Sequence, residues 1–191
     1  SNTNWAVYHK ALGSGYFLNL DSTQAASTTA YWNNTDPTDA VFTVGGTNST
    51  NGSGNDYVAY LFADEPGLIK CGSYTTDDSG KATVELGFKP QWLLYKQTNS
   101  TGFWGIVDTA RGTSIIAAPT LKPNDNAVEV NNFGVEFNST SFSVDMFTNS
   151  NYIYVAIAAP VVTSMTQEQV DATRLLFNTK QYRQWKHCDD L

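Results

Sequence analysis

The sequence predicts an all-β protein, an antiparallel β-sandwich of the jelly-roll or lectin type, followed by one α-helix. Aromatic residues make up 13% of the chain and charged residues only 15%. Short apolar runs alternate with turns rich in Gly, Asn, Ser and Thr, which is typical of many short strands. A strand-like run also occurs twice, as Tyr57-Val58-Ala59-Tyr60-Leu61-Phe62-Ala63 and as Tyr154-Val155-Ala156-Ile157-Ala158-Ala159.

The repeated run indicates an internal duplication, because similar segments precede both copies in the same order. The matching segments are the Trp-led strands 5–10 and 91–96 and the Phe-x-Val segments 42–44 and 142–144. Loops drift in length while strands are retained, so unequal spacings are expected. We therefore predict a duplicated β-sandwich domain over residues 1–160, with halves 1–66 and 67–160 that each bury a Tyr-Val-Ala strand centrally.

The individual strands follow from short apolar runs bounded by turn residues. In chain order they are predicted at 5–10, 16–20, 40–44, 57–63, 68–74, 82–86, 91–96, 102–108, 135–137, 141–147 and 152–159. The first two strands should form a hairpin. Strand 82–86 should pair back on 68–74 across Asp77-Asp78-Ser79-Gly80, which has the residues that turns need.

The character of the sequence changes after Pro160. Thr166-Gln167-Glu168-Gln169 has the form of a capping box. Behind it, apolar residues recur at helical spacing, namely Ala172, Leu175, Leu176, Tyr182 and Trp185. We predict a linker and C-terminal helix over residues 161–191, with the helix at 167–187. Its apolar stripe packs either on the β domain of the same chain or on a neighbouring subunit.

Charge and composition exclude several classes of partner. A net charge of −7 argues against binding to the phosphate backbone of nucleic acid. No apolar run reaches transmembrane length, so membrane insertion is not expected. Cys71 and Cys188 lie far apart and outside any CxxC motif, which favours two free thiols over a bridge. The turn 77–80 lacks the ligand spacing of a calcium loop. We therefore predict no metal and no cofactor.

Tyr31, Trp32 and Trp104 are the candidate ligand-binding residues. They lie in or beside predicted loops and close to Asn and Asp residues. A flat aromatic ring covers the apolar face of a sugar while neighbouring amides bind its hydroxyl groups, so this pattern is compatible with a glycan site. The alternative is that the rings belong to the core, as most aromatic residues of a small β protein do.

Asp108 and Arg111 form the best-defined short motif, Asp108-Thr109-Ala110-Arg111-Gly112. We expect a structural turn in which the guanidinium of Arg111 bridges Asp108 or nearby loop carbonyls with its forked donors. The alternative is an Asp/Arg pair that shapes a ligand site.

No catalytic residue is predicted. The chain has no Gly-x-Ser-x-Gly motif to anchor a hydrolase triad. His9 is expected to be a packed or solvated strand residue. Glu85, Glu129 and Glu136 could supply the two facing carboxyls of a glycosidase, but nothing in the sequence pairs them.

A family resemblance extends over residues 4–160. The motifs that carry it are Asn4-Trp5-Ala6-Val7-Tyr8-His9-Lys10, Trp32-Asn33-Asn34-Thr35-Asp36-Pro37-Thr38, Tyr57-Val58-Ala59-Tyr60-Leu61-Phe62-Ala63, Ile69-Lys70-Cys71-Gly72-Ser73-Tyr74 and Phe88-Lys89-Pro90-Gln91-Trp92-Leu93-Leu94-Tyr95-Lys96. In this order they resemble an uncharacterised repeat domain of tailed-phage virion proteins, familiar from phages of marine bacteria and cyanobacteria.

The resemblance implies a non-enzymatic structural or adhesion module of a tail-fibre, tail or capsid-decorating protein, located in the virion after assembly in the host cytoplasm. The implied partners are other virion proteins and host cell-surface glycans. Further copies of the same chain are also expected, with a trimer favoured because fibres are usually trimeric. Two alternatives stay open, a dedicated carbohydrate-binding lectin domain and a polysaccharide-degrading enzyme.

Overall fold

The computed structural model describes residues 4–160, which form ten β-strands and no α-helix. The strands are β1 (Ala6–Val7), β2 (Tyr16–Asn19), β3 (Ser27–Thr28), β4 (Ile69–Thr75), β5 (Lys81–Glu85), β6 (Pro90–Gln97), β7 (Trp104–Asp108), β8 (Gly134–Phe137), β9 (Ser141–Asp145) and β10 (Asn151–Ala158). All strand pairs are antiparallel. The prediction of an all-β protein with antiparallel sheets is thus confirmed. Within this part of the chain, no helix is long and apolar enough to cross a membrane.

The strands form three sheets, with the orders β1-β2-β3, β4-β10-β6-β7 and β5-β9-β8. β10 lies in the interior of the four-stranded sheet, where it pairs with β4 on one side and β6 on the other. Successive side chains of a strand point to opposite faces. Tyr152, Tyr154 and Ala156 therefore share one face, and Ile153 points to the other. Both faces of the large sheet are covered.

Each face of the four-stranded sheet carries an apolar cluster. The larger cluster joins Tyr95 and Tyr154 of that sheet with Phe142 of the sheet β5-β9-β8. The two sheets therefore share one core, an arrangement compatible with a sandwich. The smaller cluster joins Leu18 of β2 with Ile153 on the opposite face. The small sheet β1-β2-β3 thus packs as a third layer.

The prediction of a buried strand at 57–63 is wrong. These residues have no regular secondary structure, and Val58, Tyr60 and Leu61 are 70%, 73% and 74% exposed. The later run lies in β10, between two partner strands. A continuous apolar run has the composition of a strand buried on both faces, but that composition does not specify which other strands pair with it. In the described chain, β10 has covering strands and residues 57–63 have none.

The prediction of two duplicated halves, each with a central Tyr-Val-Ala strand, is also wrong, because residues 57–63 form no strand equivalent to β10. Residues 4–65 supply only β1, β2 and β3, whereas every strand of the four-stranded sheet follows Gly67. The predicted strand 40–44 is also absent, and Val41 and Phe42 are exposed.

The turn at 77–80 is present, but it joins two layers. Asp77 Oδ1 accepts hydrogen bonds from the main-chain N–H groups of Ser79 (2.9 Å) and Lys81 (2.8 Å). β4 and β5 nevertheless belong to different sheets, because β5 pairs with β9. The predicted hairpin between them is therefore wrong, whereas the hairpin of β1 and β2 is confirmed. The predicted helix at 167–187 and Cys188 lie outside the described residues.

Candidate functional site

Two of the residues predicted to bind a ligand lie in the interior. Trp104 is 2% exposed, and its indole Nε1–H donates to the carbonyl oxygen of Asn19 at 2.8 Å. Trp32 is 9% exposed, and its Nε1–H donates to the carbonyl oxygen of Tyr16 at 2.9 Å. Their burial argues against direct ligand contact, because a sugar needs an open ring face. Both indoles instead anchor β2, one to β7 and one to the turn that follows β3.

Tyr31 is half-buried beside Trp32. Its hydroxyl donates to Ser49 Oγ at 3.1 Å, and its ring lies 4.4 Å from the ring of Phe17, centroid to centroid. These contacts fix Tyr31 between β2 and the loop after residue 45. The structure therefore does not bring the three predicted binding residues together around a common opening.

Asp108 and Arg111 form the turn that the sequence predicts, with the side chain of Arg111 paired to the Asp108 carboxylate. The main-chain N–H of Arg111 donates to Asp108 Oδ1 at 2.9 Å, and the guanidinium forms an ion pair with Asp108 Oδ2. Arg111 Nε also lies 3.7 Å from Glu129 Oε2. One carboxylate thus closes the turn that follows β7, and the guanidinium ties that turn to the irregular segment around Glu129.

His9 connects the small sheet to the large one. Its Nε2 lies 3.1 Å from the carbonyl oxygen of Tyr154, and its Nδ1 lies 3.2 Å from the main-chain N of Ala11. The N–H of Ala11 must donate, so Nδ1 accepts and Nε2 carries the proton. Burial lowers the pKa of His9. With both nitrogens bonded, the neutral ring has a structural role.

The surface that sequence reasoning missed is apolar and exposed. It consists of side chains with exposed fractions between 43% and 74%, here called the apolar strip: Trp5, Tyr57, Val58, Tyr60, Leu61 and Phe62. Trp5 stacks on Tyr60 across 6.2 Å between ring centroids, which joins the start of the chain to the run 57–62. Contiguous exposed apolar patches mark interaction sites on soluble proteins. The available signal was the glycine-rich and proline-containing flanks of the run, which isolate it from other strands.

Both ends of the apolar strip are fixed. The Tyr57 hydroxyl donates to the carbonyl oxygen of Asn48 and accepts from the N–H of Gly52, both at 2.7 Å. Beyond the other end, Asp64 forms an ion pair with Lys10 and accepts from the N–H of Cys71 at 2.7 Å. Burial alone would raise the pKa of Asp64, but these contacts outweigh it and lower the pKa. The Asp64 carboxylate therefore stays charged and covers part of the outer edge of β4.

A second surface feature is a polar cleft between the β6–β7 and β9–β10 connections. Its volume is about 390 Å³, and its lining consists of Gln97, Asn99, Ser100, Thr101, Phe147, Thr148 and Ser150. Gln97 Nε2 donates to Ser150 Oγ at 3.1 Å, so part of the lining is held in place. Phe147 is 53% exposed. An uncharged lining of amides and hydroxyls beside one open aromatic ring suits a neutral polar ligand.

The described residues offer no cluster for a metal. Within residues 4–160, no three His, Cys, Asp or Glu side chains are grouped closely enough to hold an ion. Cys71 is half-buried, and burial together with the nearby Asp64 charge raises the pKa of its thiol to about 11. The thiol therefore stays protonated at neutral pH and is a poor nucleophile.

The fold and these surfaces define an all-β domain of antiparallel sheets with an exposed apolar strip and a polar cleft. The chain belongs to the family described as Domain of unknown function (DUF7483), whose family model matches residues 1–160. Searches of curated proteins and of solved structures gave no match.

Proposed function

We propose that this chain is a non-enzymatic structural and adhesion module of a phage particle, with a β-sandwich of the jelly-roll or lectin type, in a tail-fibre, tail or capsid-decorating protein. The observation that carries the proposal is the apolar strip. A soluble domain that keeps Tyr60 and Leu61 more than 70% exposed has a surface suited to another protein. The motif resemblance over residues 4–160 supports a virion as the assembly concerned.

The geometry around the apolar strip favours binding over chemistry. The Trp5–Tyr60 stack and the Asp64–Lys10 ion pair hold the surface from both sides, so less side-chain entropy is lost when a partner covers it. His9, the histidine of the described chain, has both ring nitrogens bonded. Glu129 lies against Arg111 and Glu85 accepts from the Thr140 hydroxyl, so these two carboxylates have structural partners.

The location on a particle is tested by immunogold electron microscopy. Antibodies against residues 4–160 are applied to particles purified from a lysate of a phage that encodes this sequence. Label on the fibre, the tail or the capsid is expected, and its position identifies the component. Antibody absorbed with the purified chain is the control and should leave the particles unlabelled. Unlabelled particles, with the chain confined to the soluble fraction, would reject the proposal.

The polar cleft supports a second candidate, a carbohydrate-binding domain that contacts host cell-surface glycans. Its uncharged amide and hydroxyl lining fits sugar hydroxyl groups, and the open ring of Phe147 fits an apolar sugar face. No carboxylate is among the lining residues, so the cleft supports binding and gives no support to paired-carboxylate hydrolysis.

A glycan array tests this second candidate. Binding should weaken at least tenfold in Phe147→Ala and Thr101→Ala. Phe42→Ala is the matched control, because Phe42 is also about half exposed, at 44%, and does not line the cleft. Equal loss in all three variants, or no binding by the unaltered chain, would exclude the cleft as a glycan site.

A further inference from the structure

The run 57–63 has the composition of a β-strand, but within the described residues it pairs with no other strand. Within residues 4–160, no main-chain N–H or C=O group of this run forms a hydrogen bond. β-branched and aromatic residues such as Val58, Tyr60 and Phe62 favour strands. Between Asp56 and Asp64 the run contains neither a charge nor a proline. It therefore has the properties of an open strand-pairing segment.

Natural β proteins protect open edges, and this chain does so immediately beside the run. Charged side chains and covering loops are the usual protection. The outer edge of β4 is covered in this way, because Asp64 accepts from the N–H of Cys71 and Glu65 pairs with Ile69 through the main chain. Among the described residues, none protects the run 57–63 in this way. The contrast indicates that the run is covered in the functional assembly.

We propose that residues 57–63 pair antiparallel with the same residues of a second copy of this chain, forming a two-stranded inter-subunit ribbon. Antiparallel pairing of identical segments is two-fold symmetric, so one surface complements itself. Centred on Tyr60, it places Tyr60 opposite Tyr60 and Val58 opposite Phe62. Cross-strand aromatic and aromatic–β-branched pairs of this kind are favourable. The proposal rests on the proposed role of the chain in an assembly and specifies a dimer contact.

The size of the surface fits this partner. Aromatic side chains bury roughly 150–250 Å² each, and the four rings and two aliphatic side chains of the apolar strip are about half to three-quarters exposed. The strip thus exposes on the order of 700 Å² per copy, which is the upper limit of the area that pairing buries and lies near the roughly 800 Å² per partner of a standard interface. A membrane fits poorly, because the net charge is −7 and Lys10, the basic residue beside the strip, is already paired with Asp64.

The charges at the ends of the ribbon are compatible with the pairing. Antiparallel pairing centred on Tyr60 brings Asp56 of one copy opposite Asp64 of the other. Lys10 already lies against Asp64. Each end of the ribbon therefore carries one ammonium and two carboxylates, so the ammonium offsets part of the repulsion between the two aspartates.

Cysteine cross-linking tests the register. In the full chain with Cys71→Ala and Cys188→Ala, Tyr60→Cys should give a disulfide-linked dimer under mild oxidation, because directly opposed Cα atoms lie about 4.5–5.5 Å apart. Val58→Cys is the matched control. Its counterpart would lie on the order of 13 Å away along the ribbon, beyond the reach of a disulfide. Equal cross-linking of both variants, or none with Tyr60→Cys, would refute the pairing.

Light scattering with amide exchange supplies the second test. The unaltered full chain should have the mass of two chains and slow amide exchange at alternate residues of the run 58–63, because every second N–H of a two-stranded antiparallel ribbon donates to the partner strand. Tyr60→Lys and Leu61→Lys should each weaken association about 30-fold or more, as expected at the centre of an interface. Ile116→Lys, at a residue that is 85% exposed elsewhere, should stay dimeric. A mass of one chain contradicts the proposal. It does so even where the N–H groups of the run exchange slowly, because another part of the same chain or a different protein then covers them. A trimer, or a dimer that survives both lysine substitutions, also contradicts the proposal. Particle labelling does not depend on these results, so the two proposals fail separately.

Discussion

The ring of Tyr95 lies over Gly105 of the neighbouring strand, and the ring of Tyr154 lies over Gly72 in the same way. The pairs are directly opposed across β6–β7 and β10–β4, and Tyr95 and Tyr154 also oppose each other. A row of Gly, Tyr, Tyr and Gly therefore crosses all four strands. Each large ring covers a glycine that would otherwise leave a gap in the core.

The row predicts that Gly105→Ala destabilises the domain by about 1–3 kcal/mol, the usual effect of overpacking a filled core. A Cβ at Gly105 would overlap the ring of Tyr95, and a Cβ at Gly72 would lie 2.6 Å from Tyr154 Oη. Urea unfolding followed by tryptophan fluorescence measures the change. Gly46→Ala is the control, because a Cβ there has no neighbour within 4 Å, and it should stay within about 0.5 kcal/mol. Equal stability of the two variants would contradict the role of the row.

Sequence reasoning located the strands after residue 67 because each has a local signal. β5, β9 and β10, for example, are short runs of strand-forming residues bounded by turn residues. The order of the strands was not predictable in the same way. β10 is inserted between β4 and β6, and those contacts depend on residues far apart in the chain. The turn at 77–80 looks the same in sequence whether it closes a hairpin or joins two layers.

The candidate site shows the same division. The turn contacts of Asp108 and Arg111 are local and were foreseen. The burial of Trp104 depends on Asn19, which lies 85 residues earlier in the chain. An aromatic residue beside Asn and Asp is compatible with both an open sugar site and a core position, because residue type does not specify which strand arrives opposite. The exposure of Tyr60 has the same origin, since the run lacks a covering strand within residues 4–160.

The stability of the domain should fall as the pH is lowered below about 6.5, because His9 is buried in its neutral form. Burial lowers the pKa of His9 in the folded chain, so the unfolded chain binds more protons. The contribution of the neutral His9 ring to the free energy of unfolding is therefore fully present above the unfolded pKa. It is lost as the pH falls from the unfolded pKa to the lower folded pKa, by at most about 1.4 kcal/mol per pH unit.

Urea midpoints between pH 7.5 and 5 measure the effect of His9. His9→Gln should be less stable at pH 7.5, since its flexible side chain does not hold a donor and an acceptor at the fixed positions of Nε2 and Nδ1. Its midpoint should also vary less across the window. The lower limit of pH 5 avoids the titration of Asp64, whose lowered pKa acts in more acidic solution. The same slope in His9→Gln and in the unaltered chain would assign the dependence to another group.

Asp108→Ala should destabilise the domain more than Arg111→Ala. The Asp108 carboxylate accepts from a main-chain N–H and also holds the guanidinium, whereas Arg111 supplies an ion pair that is partly exposed. We expect about 1–2 kcal/mol for Asp108→Ala and about 1 kcal/mol or less for Arg111→Ala. Urea unfolding at pH 7 measures both variants. A glycan array of the same proteins should show unchanged binding, and selective loss of binding without loss of stability would favour the ligand-site alternative.

Lys96 is predicted to make the domain more stable as the pH rises from about 8 towards about 10, the ordinary range of a lysine in the unfolded chain. Its side chain is fully buried, and Nζ donates to the carbonyl oxygen of Gln97 at 2.6 Å. Burial lowers the pKa of Lys96 to about 8. The folded chain therefore binds fewer protons than the unfolded chain in this window, and stability rises with pH by at most about 1.4 kcal/mol per unit.

The thiol of Cys71 opposes this effect, because its raised pKa makes the folded chain bind more protons in the same window. The free energy of unfolding is therefore compared between Cys71→Ala and the double variant Cys71→Ala, Lys96→Met, by urea unfolding at pH 8, 8.75 and 9.5. Burial also raises the pKa values of Tyr74, Tyr152 and Tyr154, so these residues affect stability as the pH approaches about 10, where tyrosines of the unfolded chain ionise. This contribution is the same in both proteins and cancels in their comparison. The difference in stability between the two proteins should change in favour of the lysine form as the pH increases. If the difference in the free energy of unfolding between the two proteins is the same at all three pH values, the ammonium of Lys96 does not lose its proton on folding.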